Sequence, residues 1–164
     1  MTRFRSLPLY LITSLLLFGC AARVKNVTNL PPGVTLKEVQ DWDAAVADLH
    51  KIAVTVSKAH QVLAELHEYG AATDDYYVEA IRVIGHIDQL EISAETVLRN
   101  APQHFGAGTK LQVQSYINQV ATELQHLNSL GATGIKNPKS QDKVNQLLRE
   151  CTAIVGLVLS LTTS

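Results

Sequence analysis

Four stretches of this chain repeat apolar residues at alternating steps of four and three, and that spacing constrains the fold more than any other feature. In the first, Ala45, Leu49, Ile52, Val56, Ala59, Leu63 and Leu66 fall on one stripe of an α-helix, with Gly70 following as a helix-ending residue. In the second, the stripe is Tyr76, Ala80, Val83, Ile87, Leu90, Ala94 and Val97. Thr73 before it is a good N-cap, Asp74 and Asp75 suit the positive end of the helix dipole, and Pro102 blocks continuation. The third carries Val113, Ile117, Val120, Leu124 and Leu127 and ends near Gly131. The fourth takes Asn137 as cap and Pro138 as its first helical residue, then runs through Val144, Leu147, Cys151, Ile154, Val158 and Leu161.

A 4-3 spacing keeps each stripe on one face and favours left-handed packing near +20° between axes. Four such helices joined by short links predict an all-α, up-down-up-down four-helix bundle. No alternating strand pattern is present, and the period belongs to helix geometry rather than to a solenoid repeat. This topology puts the loops at 70–73 and 131–137 at one end. The other end receives the start of the first helix, the long link NAPQHFGAGT at 100–109 and the end of the fourth helix.

With 164 residues, 46% of them hydrophobic, the chain has enough apolar surface for one core, which sets it apart from disordered sequences. Its formal charge of −1 becomes more negative once Arg3 and Arg5 are removed with the first residues, so nucleic acid is not an expected partner.

Those first residues have the three-part layout of an export signal: MTRFRS is positive, LPLYLITSLLLF is apolar, and GCAA is small. A transmembrane helix needs about 20 apolar residues, and the run from Leu7 to Ala22 is shorter and begins beside Pro8. A general secretory cleavage could use Gly19 with Ala21, or Cys20 with Ala22. The third reading rests on Leu17-Phe18-Gly19-Cys20, which resembles the lipobox of bacterial lipoproteins, with Phe18 standing where that family usually has a small or β-branched residue. The resemblance covers about the first twenty residues. It implies a lipidation site at Cys20, with a diacylglyceryl thioether on its sulfur and an acyl chain on its new amino group. Two or more chains make such anchoring stable, at about 0.8 kcal/mol per buried methylene. Ala21 after the cysteine resembles lipoproteins sent to the outer membrane of a diderm host. The chain thus divides into a signal peptide at 1–19, a lipidated tether at 20–35 and a bundle domain at 36–164. Residues 21–35, with Pro31-Pro32-Gly33 breaking any helix, reach about 50 Å at full extension.

Acylation of Cys20 leaves Cys151 as a lone thiol in mid-stripe, where an apolar setting raises its pKa and makes it a core residue rather than a nucleophile. Glu123-Leu-Gln-His126 has the spacing of half a di-iron motif, but the second Glu-x-x-His pair is missing and His126 points away from the stripe, which favours a solvated pair. His60 and His67 flank the first stripe about 10.5 Å apart, too far to share one ion, and His86 flanks the second stripe, where it could approach one of them. Gly106-Ala-Gly-Thr-Lys110 has the wrong residue order for a phosphate loop and reads as a link entering a helix.

The last helix offers the most informative surface. Lys143, Gln146, Arg149 and Glu150 lie off its stripe, whereas AIVGLVLSL at 153–161 is apolar nearly all round. That segment is too short by itself to span a bilayer and needs cover on more than one side. The 100–109 link with the tether, a second copy, or a membrane interface or partner could supply it. Phe105, Leu157, Val158 and Leu159 are therefore the expected interaction surface, facing the membrane side. The functional expectation is a non-enzymatic lipoprotein of the cell envelope, most simply at the outer membrane facing the periplasm. It would bind or scaffold an envelope partner or itself, without cofactor or metal. The alternatives are a bundle that holds a small ligand or metal inside, near His60, His67, His86 and Tyr76 or Tyr77, and a pilot or assembly factor.

Overall fold

The computed structural model describes residues 30–163. The signal segment, Cys20 and the tether up to residue 29 lie outside them. Four helices follow in order: α1 (Leu36–Glu68), α2 (Asp74–Asn100), α3 (Ala107–Gly134) and α4 (Pro138–Thr163). Each packs against its two neighbours in a ring, α1 against α4 closing it, and no diagonal pair touches among the described residues. The architecture is the expected up-down-up-down four-helix bundle.

The helix ends form where the side chains dictate. Thr35 caps α1 in a reciprocal box: its hydroxyl accepts the Glu38 N–H at 3.2 Å, and the Glu38 carboxylate accepts the Thr35 N–H at 2.8 Å. Those bonds to Thr35 hold the Glu38 carboxyl below its ordinary pKa. The Thr73 hydroxyl accepts the Tyr76 N–H in α2. Asn137 caps α4 by accepting the Lys139 N–H at 2.9 Å, with Pro138 as the first helical residue. α1 stops at Tyr69, and Gly70 follows at φ +67°, a left-handed position that suits glycine. α3 runs past Gly131 to Gly134.

The two ends of the bundle are closed by different means. At the far end the loops are stitched by backbone: the Thr73 N–H donates to the Gly134 carbonyl at 3.0 Å and the Lys136 N–H to that of Ala71 at 2.9 Å. An isolated antiparallel bridge pairs Ala72 with Ile135. Gly134 is required there, because a Cβ on it would fall 2.2 Å from the Tyr76 ring. At the near end the 101–106 link folds onto the start of α1, the Phe105 N–H donating to the Glu38 carbonyl at 3.2 Å. The Trp42 indole N–H donates to the Leu98 carbonyl at 3.2 Å and ties α1 to the end of α2.

The stripes of α1, α2 and α3 are buried as expected, apart from half-buried Leu66 and Val97 at the ends of theirs. α4 is turned relative to its expected stripe. Val144, Leu148, Cys151, Val155, Val158 and Thr162 are buried, while Leu147, Ile154 and Leu161 sit half-buried at the rim. Both sets keep a 4-3 alternation, and in an apolar-all-round segment neighbouring residues compete for the same inward position. Burying an apolar side chain of this size contributes roughly 1.5–3 kcal/mol.

Candidate functional site

Two regions stand out from the packed core: a polar groove between α2 and α3, and the outward face of α4. The groove has a volume of about 610 Å³ and is lined by Arg82, Gly85, His86, Gln89, Glu123 and His126 among others. His86 Nδ1 and Glu123 Oε1 are 2.8 Å apart, within hydrogen-bonding distance across the two helices. The other carboxylate oxygen of Glu123 lies 3.8 Å from His126 Nδ1. Arg82, bound to Glu79, adds charge at the rim. Gly85 widens the groove, since a Cβ there would meet nothing within 4 Å. A carboxylate flanked by two imidazoles in an open groove offers hydrogen-bonding groups to a polar ligand. Metal ligation is another matter: no group of three His, Cys, Asp or Glu able to hold an ion exists among the described residues.

The sequence places Glu123 at the core edge and His126 toward solvent, and so the structure has them. His86 flanks the α2 stripe, from which it could approach an α1 histidine; in the structure it turns to α3 and pairs with Glu123. His67 stacks on Tyr77 with ring centroids 4.1 Å apart, and its Nε2 lies 3.0 Å from the Asp74 carboxylate. His60 is exposed on α1. The residues named for an interior ligand are thus not brought together at one interior site. The core void beside Cys151 is about 10 Å³ and lined mainly by apolar side chains, room for about one water-sized probe and no ligand.

Burial pushes the Cys151 thiol up to about 12, as its mid-stripe position predicts. Burial likewise raises Tyr76 to about 12. Its hydroxyl is buried with no hydrogen-bond partner among the described residues, near Gly131. Gly106 is the N-cap of α3 and residues 107–110 are its first turn, so the glycine-rich link enters a helix as expected.

The expected surface of Phe105, Leu157, Val158 and Leu159 divides. Phe105 is 1% exposed and Val158 fully buried, so neither presents to a partner. The first plugs the near end of the core because its loop is pinned to Glu38; the second belongs to the inner stripe of α4. Leu159 is half-buried at the rim, and Leu157 is 54% exposed. The outward face of α4 changes character along its length. Asp142, Lys143, Arg149 and Glu150 occupy its first half, and Ala153, Gly156, Leu157 and Ser160 its second. As a complete helix, α4 is long and apolar enough to cross a membrane, and 28% of its most apolar window is buried. On the adjoining helix, α3 carries only Lys110 and Glu123 as charged residues.

Cys20 lies outside the described residues. Comparison with known proteins finds no matching family model, no curated relative and no similar solved structure.

Proposed function

We propose that this chain is a lipid-anchored protein of the bacterial envelope that works by binding, its helical bundle held beside the bilayer through Cys20. The observation that carries this reading is the order of the first twenty residues: a positive start, a short apolar run, then Leu17-Phe18-Gly19-Cys20. Two features of the bundle support it. Leu30, Pro31 and Val34 line a shallow pocket with Pro102, Gln103 and His104 at the near end, so the incoming chain meets the bundle at one end only. The charge-free half of α4 leads to that same end. The domain stands as a compact head on a leash, with its least hydrophilic side at the leash.

Ala21 after the lipidated cysteine supports placement at the outer membrane of a diderm host, where the simplest arrangement has the bundle facing the periplasm. The work of the head is recognition by its surface: a face with few charges suits contact with protein, where apolar and aromatic groups replace charged ones at the centre of an interface. Metabolic labelling with an alkyne fatty acid tests the anchor. Wild-type chain is expected to carry the label and partition with membranes, while Cys20→Ala loses both; equal labelling of the two would remove the reading.

A further inference from the structure

We infer that residues 131–136, the last turn of α3 and the link to α4, form a latch that lifts off Tyr76 as one unit while the rest of the bundle stays packed. The motion adds a moving part to the binding role proposed above and is independent of Cys20. The starting point is the Tyr76 hydroxyl, the one buried side-chain polar atom without a hydrogen-bond partner among the described residues. The residue is 5% exposed, so the closed form shields the hydroxyl from bulk water. A buried polar group left unmet costs more than an ordinary hydrogen bond returns, and in a native fold such a group has a cause. Here the cause is mechanical. Lifting the latch lets solvent reach the hydroxyl, and closing it strips that solvent away.

The segment is built to let go. Two glycines cut the slot for the ring: a Cβ at Gly131 would lie 3.6 Å from the hydroxyl, and one at Gly134 would overlap the ring itself. The same glycines weaken the turn they sit in, each being roughly fivefold less favourable than Ala within a helix. No basic side chain in the last turn of α3 offsets the helix dipole. The Thr133 hydroxyl turns back to the Leu130 carbonyl at 3.3 Å, a bond that competes with the helix ladder. Against this stand buried Ile135 and a few bonds across the parting line. Thr73 N–H donates to the Gly134 carbonyl, Lys136 N–H to that of Ala71, Lys136 Nζ to that of Gly70, and Gln141 Nε2 to that of Gly131 at 3.3 Å. The facing α1–α2 loop is secured separately, since the Ala71 and Ala72 N–H groups both donate to the Leu66 carbonyl. The near end is built differently: Phe105 fills the core there, and the Trp42 indole N–H has its partner. Opening therefore uncovers Ile135 and the Tyr76 ring at the end farthest from the tether, as a local event short of global unfolding.

Amide hydrogen exchange of the full chain in detergent micelles, followed by NMR and corrected for intrinsic rates, tests the latch. The Thr73 and Lys136 N–H groups cross the parting line from opposite sides. They are expected to open in step, about tenfold or more faster than the amides in the middle of α3, while those of Ala71 and Ala72 exchange more slowly. Tyr76→Phe removes the unmet hydroxyl and is expected to slow the Thr73 and Lys136 amides together by about tenfold. Gly131→Ala, whose methyl group would sit at ordinary contact distance from the hydroxyl, should slow both by about fivefold. Fraying of α3 alone would not respond to Tyr76→Phe. A second readout is Ile135→Cys, whose thiol should react with a maleimide faster than buried Cys151 and more slowly once Tyr76→Phe is added. Four results would overturn the inference. They are Thr73 and Lys136 exchanging only with the core, the two opening at unrelated rates, the thiol at 135 reacting no faster than Cys151, or Tyr76→Phe leaving both amides unchanged or faster. The last would mean that the folded protein already gives the hydroxyl a partner.

Discussion

Glu91 gives this bundle a pH dependence that can be worked out from its position. It is 6% exposed on α2, and no hydrogen bond or ion pair holds it among the described residues. Burial, followed by the negative charges of Glu95 and Asp88, raises its pKa from 4.5 to about 7, against a smaller opposing pull from Arg99. The unfolded chain gives up this proton near 4.5 and the folded chain keeps it until about 7, so the native state binds the extra proton in between. Stability contributed by the neutral form is complete below the unfolded value and is lost as pH rises through about 7. At about 1.4 kcal/mol per tenfold change in ionisation, that interval amounts to roughly 3 kcal/mol as an upper bound. Glu91→Gln keeps the shape of the protonated acid and removes the titration. Urea unfolding of the chain from Ala21 onward, for both proteins at about pH 4 and about pH 8.5, should show near-equal stability at the lower pH. At the higher pH the variant should be more stable by roughly 2–3 kcal/mol, a midpoint shift of about 1–2 M for an m-value in the usual range. Taking the difference between the two proteins cancels the contributions of the groups they share. Parallel stability curves across that range would refute the argument and mean that water reaches the carboxylate in the folded state.

Two glycines predict opposite outcomes for the same substitution. Gly134→Ala drives a methyl into the Tyr76 ring at 2.2 Å and strains the loop bond that Thr73 makes to the Gly134 carbonyl, so urea unfolding should show a loss of about 1–3 kcal/mol. Gly85→Ala, in mid-helix with open space at its Cβ, should gain roughly 0.5–1 kcal/mol by the same assay; a loss there would mean that something fills the groove beside His86.

What the sequence conveys about this fold depends on contrast along each helix. In α1 to α3 most stripe residues differ sharply from their neighbours, as at Ile87 between His86 and Asp88, and their burial follows the pattern; at Val62-Leu63 and Val83-Ile84 both members of an apolar pair are buried. In α4 the pairs Leu147-Leu148 and Ile154-Val155 give no such contrast, and the inward member is chosen by how the whole helix seats against α1 and α3. Thr162 is buried in preference to Leu161 for the same reason, its hydroxyl satisfied by the Leu159 carbonyl at 2.8 Å. Phe105 reads as surface because it sits in a loop, yet the loop is anchored by a backbone bond to Glu38 that no side-chain pattern announces. The His86 to Glu123 pair is within reach of the sequence only in part. Each residue flanks its stripe, but which neighbouring helix each one faces is set by the order of helices around the ring.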